Sequence, residues 1–72
     1  MKYGMVVHTI TGERYIGKSD ELTDGELEKA IDFMKKIDKY SQFSLECING
    51  SYMSFRGEHI VALELYNEKE KA

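Results

Sequence analysis

Apolar residues in the middle of the chain recur at the spacing of one helical face. The stripe consists of Leu27, Ala30, Ile31, Met34 and Ile37. Residues three and four apart lie on one side of a helix, so this period predicts an amphipathic helix. Thr23, followed three residues later by Glu26, matches the capping box that begins many helices. Together these patterns predict a helix over residues 24–40 with Thr23 as its N-cap.

The segments that flank this helix carry strand patterns. Residues 3–10 are rich in β-branched and aromatic side chains and lead through residues 11–12 into residues 13–16, which predicts a hairpin. Near the other end of the chain, residues 59–66 form the last predicted strand.

A second hairpin is predicted around Asn49-Gly50, a dipeptide that favours tight turns. A strict two-residue turn would place polar and apolar side chains on both faces of this hairpin. A turn with Gly50 in the left-handed region and one bulged residue gathers the apolar side chains on one face instead. We therefore predict the bulged form. Its pairs are Cys47 with Ser51, Leu45 with Met53, and Phe43 with Phe55.

The order of these elements indicates a single small α+β domain over residues 1–72. The predicted order is ββ-α-βββ, in which about five antiparallel strands form a sheet or a partial barrel beside one helix. The last residues, 67–72, are charged and are expected to fray.

Apolar residues on both faces of the first strand predict that something besides the helix covers one of them. Tyr3, Met5 and Val7 alternate with Val6 and Ile10. One helix covers one face of a sheet, and a chain this short buries only about 60% of the surface that its unfolded form exposes. Either the sheet curls into a small barrel or a second subunit packs on it. We expect a homodimer or a larger closed oligomer.

Charge and cysteine usage narrow the class of protein. Ten lysines and arginines against thirteen aspartates and glutamates give a net charge of −3. This balance disfavours nucleic-acid binding, because such proteins neutralise many phosphates.

The single cysteine forms no internal disulfide, which is typical of the reducing cytoplasm. No apolar run reaches the roughly 18 residues of a membrane span, and no secretion signal is recognised, so a cytoplasmic protein without membrane partners is expected.

Chemistry-bearing side chains are few and form no catalytic or metal-binding motif. The spacing of Cys47, His8 and His59 matches no zinc-binding pattern. The predicted hairpin register places Cys47 on the inward face, where a thiol acts as a small apolar side chain. A cysteine–histidine dyad formed across strands is the alternative. We expect no enzymatic activity, no cofactor and no metal.

One group of side chains favours a binding surface. Cations and aromatic rings alternate on the predicted outer faces at Arg14, Tyr15, Tyr52, Arg56 and His59. Tyrosine and arginine are enriched in protein interfaces, which favours an interface between subunits or with a partner. An ordinary solvated surface is a second interpretation. A nucleotide site is a third, because these residue types stack on bases and hold phosphates.

The chain as a whole resembles small accessory proteins carried by phages and prophages of Gram-positive bacteria. The shared features are a short chain rich in lysine and glutamate, two hairpins around one helix, and the ending HIVALE over residues 59–64. The resemblance covers most of the chain and implies a non-enzymatic role, as an inhibitor of a host protein or a counter-defence factor. Residues 54–60 are also similar to the strand, short turn and strand that end Sm-like barrels. Those barrels place their helix before the sheet, so their RNA-binding residues are not transferred to this chain.

These observations predict a small protein–protein interaction module that acts by binding and blocking a partner. An alternative function is that of an oligomer that binds a small anionic ligand, such as a nucleotide, through the five residues named above. A ring of subunits that binds RNA is a third interpretation.

Overall fold

The computed structural model describes residues 1–68 of the 72-residue chain, and within them it contains one helix and six strands. The strands are β1 (Lys2–Thr9), β2 (Arg14–Ile16), β3 (Asp20–Glu21), β4 (Gln42–Glu46), β5 (Tyr52–Arg56) and β6 (Ile60–Asn67). The helix α1 (Asp24–Lys36) lies between β3 and β4, and a single 3-10 turn (Gly57–His59) joins β5 to β6. The α+β class and the order of the elements are confirmed. The two-residue β3 is an addition that the sequence did not predict.

The last strand extends further toward the C-terminus than the sequence predicts. β6 runs through Asn67, which pairs with Tyr3 of β1. The Glu68 carboxylate accepts a hydrogen bond from the Ser19 hydroxyl at 2.9 Å. The rest of the predicted tail, residues 69–72, lies outside the described residues.

Strand β1 is the centre of the larger sheet. It pairs antiparallel with β2 and β3 along one edge and with β6 along the other. β4 and β5 form a hairpin that joins this sheet through the residues after β2. Gly17 bridges to Cys47, and the Lys18 N–H donates to the Glu46 carbonyl at 2.8 Å. Across this one isolated bridge the two sheets follow the path β5-β4-β2-β1-β6, and the contact of Tyr15 with Phe55 shows that the path is curled.

The bulged register predicted for the second hairpin is confirmed. The observed pairs are Phe43 with Phe55, Leu45 with Met53, and Cys47 with Ser51. Gly50 has a φ of 90°, and its N–H donates to the Cys47 carbonyl at 2.9 Å, which closes the turn. Glycine adopts this φ without a steric penalty, so the turn and the register depend on it.

A chain of aromatic contacts fills the interior of the curled sheet. Val7 is fully buried there and pairs with Tyr15. The Tyr15 ring meets the edge of Phe55 at a centroid distance of 5.4 Å, and Phe55 lies 5.5 Å from Phe43. Phe43 in turn meets Phe33 of α1 at 5.3 Å. Phe33 therefore connects the helix to this chain of aromatic contacts.

The outer face of β1 is covered by Tyr66. Its ring lies over Gly4, and its hydroxyl donates to the Gly17 carbonyl at 2.7 Å. Val6, two residues from Gly4 on the same face, is only 5% exposed. The curled sheet thus buries both faces of β1 within one chain, and the burial of these residues does not require a second subunit. The homo-oligomer stays a prediction.

The helix begins as predicted and ends earlier. The Thr23 hydroxyl accepts a hydrogen bond from the Glu26 N–H at 3.2 Å, and the Glu26 carboxylate accepts one from the Thr23 N–H at 3.0 Å. At the other end, α1 stops at Lys36 rather than at residue 40. The Asp38 carboxylate accepts a hydrogen bond from the Tyr40 N–H at 2.9 Å. Side-chain hydrogen bonds of this kind compete with helical ones, which explains the early end.

The turn that follows α1 packs directly on the 3-10 turn. The Gly57 N–H donates to the Ser41 carbonyl at 2.8 Å. The Asp38 carbonyl occupies the place where a Cβ of residue 57 would stand. The close approach of the two backbones therefore requires glycine at this position.

We expect Gly57→Ala to lower the free energy of unfolding by about 1–3 kcal/mol, because backbone atoms cannot rotate away from the added methyl group. Gly25→Ala in the first turn of α1 is the matched control. No atom lies within 4 Å of a Cβ there, and alanine favours a helix, so we expect a small gain in stability. Urea unfolding followed by circular dichroism measures both variants. Equal midpoints would contradict the packing at Gly57.

Candidate functional site

An open cleft of about 650 Å³ lies between β5 and the hairpin of β1 and β2. Ile10 and Tyr15 line it on the hairpin side, and Met53 and Phe55 line it on the β5 side. Its volume falls within the range of about 300–1,000 Å³ that is typical of ligand pockets. The cleft can therefore hold a small ligand or the side chains of a bound peptide.

The hairpin side of the cleft is held by local hydrogen bonds. The Thr9 N–H donates to the Glu13 carbonyl at 2.9 Å, and the Thr11 hydroxyl donates to the Glu13 carboxylate at 3.0 Å. The Ile10 N–H donates to the His59 carbonyl at 2.9 Å, which joins the hairpin to the 3-10 turn. These contacts fix the position of one wall.

The opposite wall is the free edge of β5. Within residues 1–68, β5 pairs with β4 alone. At one end of the ladder between β4 and β5, the Cys47 N–H donates a hydrogen bond to the Ser51 carbonyl. At the other end, the Gly57 N–H donates a hydrogen bond to the Ser41 carbonyl. Because bonded and unbonded pairs alternate in an antiparallel ladder, every second residue of β5 directs its N–H and C=O away from β4. These outward-facing residues are Tyr52, Ser54 and Arg56.

Three of the five predicted site residues come together at this cleft. Tyr15, Arg56 and His59 all line it. The expectation that Tyr15 lies on an outer face is wrong. Its ring packs against Phe55, because the curl of the sheet turns this side of β2 toward β5.

The other two predicted residues lie outside the cleft. Arg14 pairs with His8, and its register places it on the outer face of the sheet with Val6. Tyr52 belongs to β5 but points away from the interior and is 73% exposed, and its hydroxyl donates to a Glu46 carboxylate oxygen at 3.3 Å. The five residues therefore do not form one site.

The apolar walls of the cleft were not predicted as part of a site. The alternating pattern places Met53 on an inward face, and it assigns Ile10 to the sheet. Neither pattern shows that residue 10 lies beside residue 59, or that β5 is paired along only one edge within the described residues. The two outward-pointing backbone groups of Ser54 could be predicted only from the hairpin register.

The charges at the cleft are weakly paired. The Arg56 guanidinium contacts the Glu58 carboxylate at 3.5 Å, and both side chains are at least half exposed. Exposed ion pairs of this kind contribute little, with a typical magnitude of about 0–1 kcal/mol. The Arg56 guanidinium can therefore exchange this partner for a carboxylate or phosphate of a ligand at small cost.

The cysteine and His8 are separate from the cleft. Cys47 is 4% exposed, which confirms the predicted inward position of this side chain. His8 contacts the Glu64 carboxylate at 3.3 Å on the outer face. In the part of the chain that the structure describes, no three His, Cys, Asp or Glu side chains are grouped so as to hold a metal ion.

Comparisons of the chain with protein-family models, with curated proteins and with solved structures find no match. Within residues 1–68, no helix has both the length and the apolar character that crossing a bilayer requires.

The hydroxyl of Tyr15 is influenced by the carboxylate of Glu13. A side-chain hydrogen bond with Glu13 raises the pKa of Tyr15, and burial and the negative charge of Glu13 raise it further. All three effects disfavour the charged phenolate. Tyr15 therefore stays a neutral hydrogen-bond donor at the cleft over the physiological pH range.

We expect Glu13→Gln to lower the pKa of Tyr15 toward its ordinary value of 10.0, because the substitution removes the negative charge. Phenolate absorbance measured against pH reports the titration, and Tyr15→Phe identifies the contribution of this residue among the five tyrosines. A Tyr15 titration that does not change in Glu13→Gln would contradict the proximity of the two groups.

Proposed function

We propose that this protein is a binding module that captures an extended segment of a partner protein and adds it as a strand to the free edge of β5. The observation that carries the proposal is the position of that edge, which has no strand partner within residues 1–68 and lies along one wall of an apolar cleft. Unpaired strand edges accept additional strands readily, and several peptide-binding domains use them in this way.

The geometry provides both affinity and selectivity for such a strand. Each outward-facing residue of β5 offers an N–H and a C=O, and a backbone hydrogen bond contributes about 0.5–1.5 kcal/mol net. Side chains alternate along a strand, so every second side chain of the added segment would lie beside Met53 and Phe55. An apolar side chain at that position can fill the cleft against Ile10 and Tyr15.

Arg56 and His59 favour a partner segment with an acidic residue. Both side chains line the cleft, and the exposed Glu58 carboxylate is the ion-pair partner of Arg56 at 3.5 Å. A carboxylate on the partner can form a closer charge-assisted hydrogen bond to the guanidinium. We therefore propose that the preferred segment combines an apolar residue for the cleft with an acidic residue near Arg56.

Capture of this kind would make the protein an inhibitor. A segment held on β5 is no longer available for pairing within its own protein, so binding alone can block the partner. This mode of action needs no catalytic group and no cofactor. It agrees with the role in phage-borne inhibition or counter-defence that the resemblance of the chain implies, with a host protein as the partner.

A library of displayed random peptides, selected on the purified protein, tests the proposal. We expect the selected peptides to bind at least about tenfold more weakly to Ser54→Pro, because proline removes the outward N–H on the cleft side. Ser44→Pro is the matched control. Ser44 lies directly opposite Ser54, and its N–H points to the other edge of the hairpin. Fluorescence anisotropy gives the dissociation constants of both variants.

Two results would overturn this function. One is a selection that enriches no peptide. The other is a set of peptides that bind the wild type, Ser54→Pro and Ser44→Pro equally well, since their site would then lie away from β5. Circular dichroism of both proline variants shows whether they keep the wild-type fold.

A second candidate function is the binding of a small anionic ligand such as a nucleotide. The observation that favours it is the presence of Tyr15, Arg56 and His59 in one cleft of suitable volume. The ring can stack on a base, and the guanidinium can hold a phosphate. The carboxylate of Glu13 in the same cleft repels a nucleotide, which carries several negative charges, more strongly than it repels one acidic side chain, so we place this function second.

Calorimetric titration with a panel of nucleotides tests this candidate. If it holds, Arg56→Ala should reduce affinity by about tenfold or more, since a charge-assisted hydrogen bond is lost. Arg14→Ala should bind like the wild type, because Arg14 lies outside the cleft. No heat with any nucleotide, or equal losses in the two variants, would reject it.

A further inference from the structure

The free edge of β5 is complementary to itself. Its sequence is Tyr52-Met53-Ser54-Phe55-Arg56, with Ser54 at the centre. If two copies pair antiparallel about Ser54, the ring of Tyr52 lies opposite Arg56 of the other copy, and Met53 lies opposite Phe55. Only this register engages all three outward-facing residues on both strands.

We infer that, when no partner segment is bound, a second copy of this chain covers the edge and forms a two-fold symmetric dimer through β5. The two β4–β5 hairpins would then make one continuous four-stranded sheet. A two-fold axis through Ser54 uses the same surface on both subunits, so the assembly closes at two copies.

The cross-strand pairs of this dimer are favourable on both faces. On the exposed face, Tyr52 and the guanidinium of Arg56 form a cation–π pair, and symmetry repeats it. Both side chains are available, since Tyr52 is 73% exposed and Arg56 is 62% exposed in the single chain. On the inner face, the thioether of Met53 meets the ring of Phe55.

The alternative orientation is unfavourable. An in-register parallel pairing of two β5 strands would place Arg56 beside Arg56 of the other copy, and like charges directly opposite destabilise a sheet. Antiparallel pairing replaces that repulsion with an attraction to Tyr52. The pattern of charge along β5 therefore selects the antiparallel dimer.

Self-pairing would also regulate partner binding. The second copy occupies the same hydrogen-bonding groups and the same side of the cleft as a captured segment, so the two events compete. This regulatory part of the inference rests on the proposed function, whereas the dimer itself does not. Raising the protein concentration should therefore weaken the apparent affinity for a selected peptide.

Light scattering after gel filtration tests the dimer. We expect the wild type and Ser44→Pro to elute at twice the chain mass of 8.3 kDa at micromolar concentration. Ser54→Pro should weaken dimerisation by about tenfold or more, because one substitution removes a hydrogen-bond donor from both strands. A wild type that is monomeric at about 100 µM, or a dimer that Ser54→Pro leaves unchanged, would overturn the inference.

Cysteine cross-linking tests the register without proline. In a bonded antiparallel pair the Cα atoms lie about 5.5 Å apart, within the range that a disulfide spans. Oxidised glutathione should convert Ser54→Cys to a covalent dimer, and it should leave Ser44→Cys monomeric on a non-reducing gel. The native Cys47 is buried and does not compete. Equal cross-linking of the two variants would overturn the pairing about Ser54.

The two proposals fail in different ways. Selected peptides that need the β5 edge, together with a wild type that is monomeric, would overturn the dimer and leave the binding function in place. A dimer that cross-links at residue 54, together with a selection that enriches no peptide, would support the dimer and overturn the binding function.

Discussion

The close approach of the Gly17 backbone to both β1 and the end of β4 is the contact on which the arrangement of the sheet depends. Its N–H donates to the Met5 carbonyl at 2.7 Å, while its backbone bridges to Cys47 on the other side. A Cβ at this position would lie 2.7 Å from both the Met5 carbonyl and the Leu45 side chain. Because glycine has none, the backbone passes between β1 and β4 and joins them into one curled path. The cleft is the space that this curl leaves between β5 and the first hairpin.

The same curl distributes burial unevenly among the strands. β1 has a neighbour along both edges and is buried on both faces, whereas β5 has a neighbour along one edge only within residues 1–68. The aromatic contacts that end at Phe33 hold the inner face of the β4–β5 hairpin, so the open edge belongs to a well-supported strand. A supported strand with an open edge is already in the conformation that an added strand requires, which lowers the entropic cost of pairing.

Sequence patterns predicted the features that depend on neighbouring residues. The capping box at Thr23 and the bulged turn at Gly50 involve residues within a few positions of each other, and both are confirmed. The predicted end of the helix was wrong because the side chain of Asp38 competes locally with helical hydrogen bonds. The cleft could not be predicted, since alternation shows which face a side chain occupies but not which strand lies beside it. The contacts of residue 10 with 59 and of residue 15 with 55 join distant parts of the chain.

Because the ring of Tyr66 lies over Gly4, the residue types that fit at these two distant positions depend on each other. A Cβ at position 4 would lie 2.5 Å from the Tyr66 ring, so any larger residue there must displace the ring. The displaced ring would lose its hydrogen bond to the Gly17 carbonyl, at the position where the two parts of the sheet are joined. In a lineage of related chains, a larger residue at position 4 should therefore occur together with a smaller one at position 66, and either change alone should be rare.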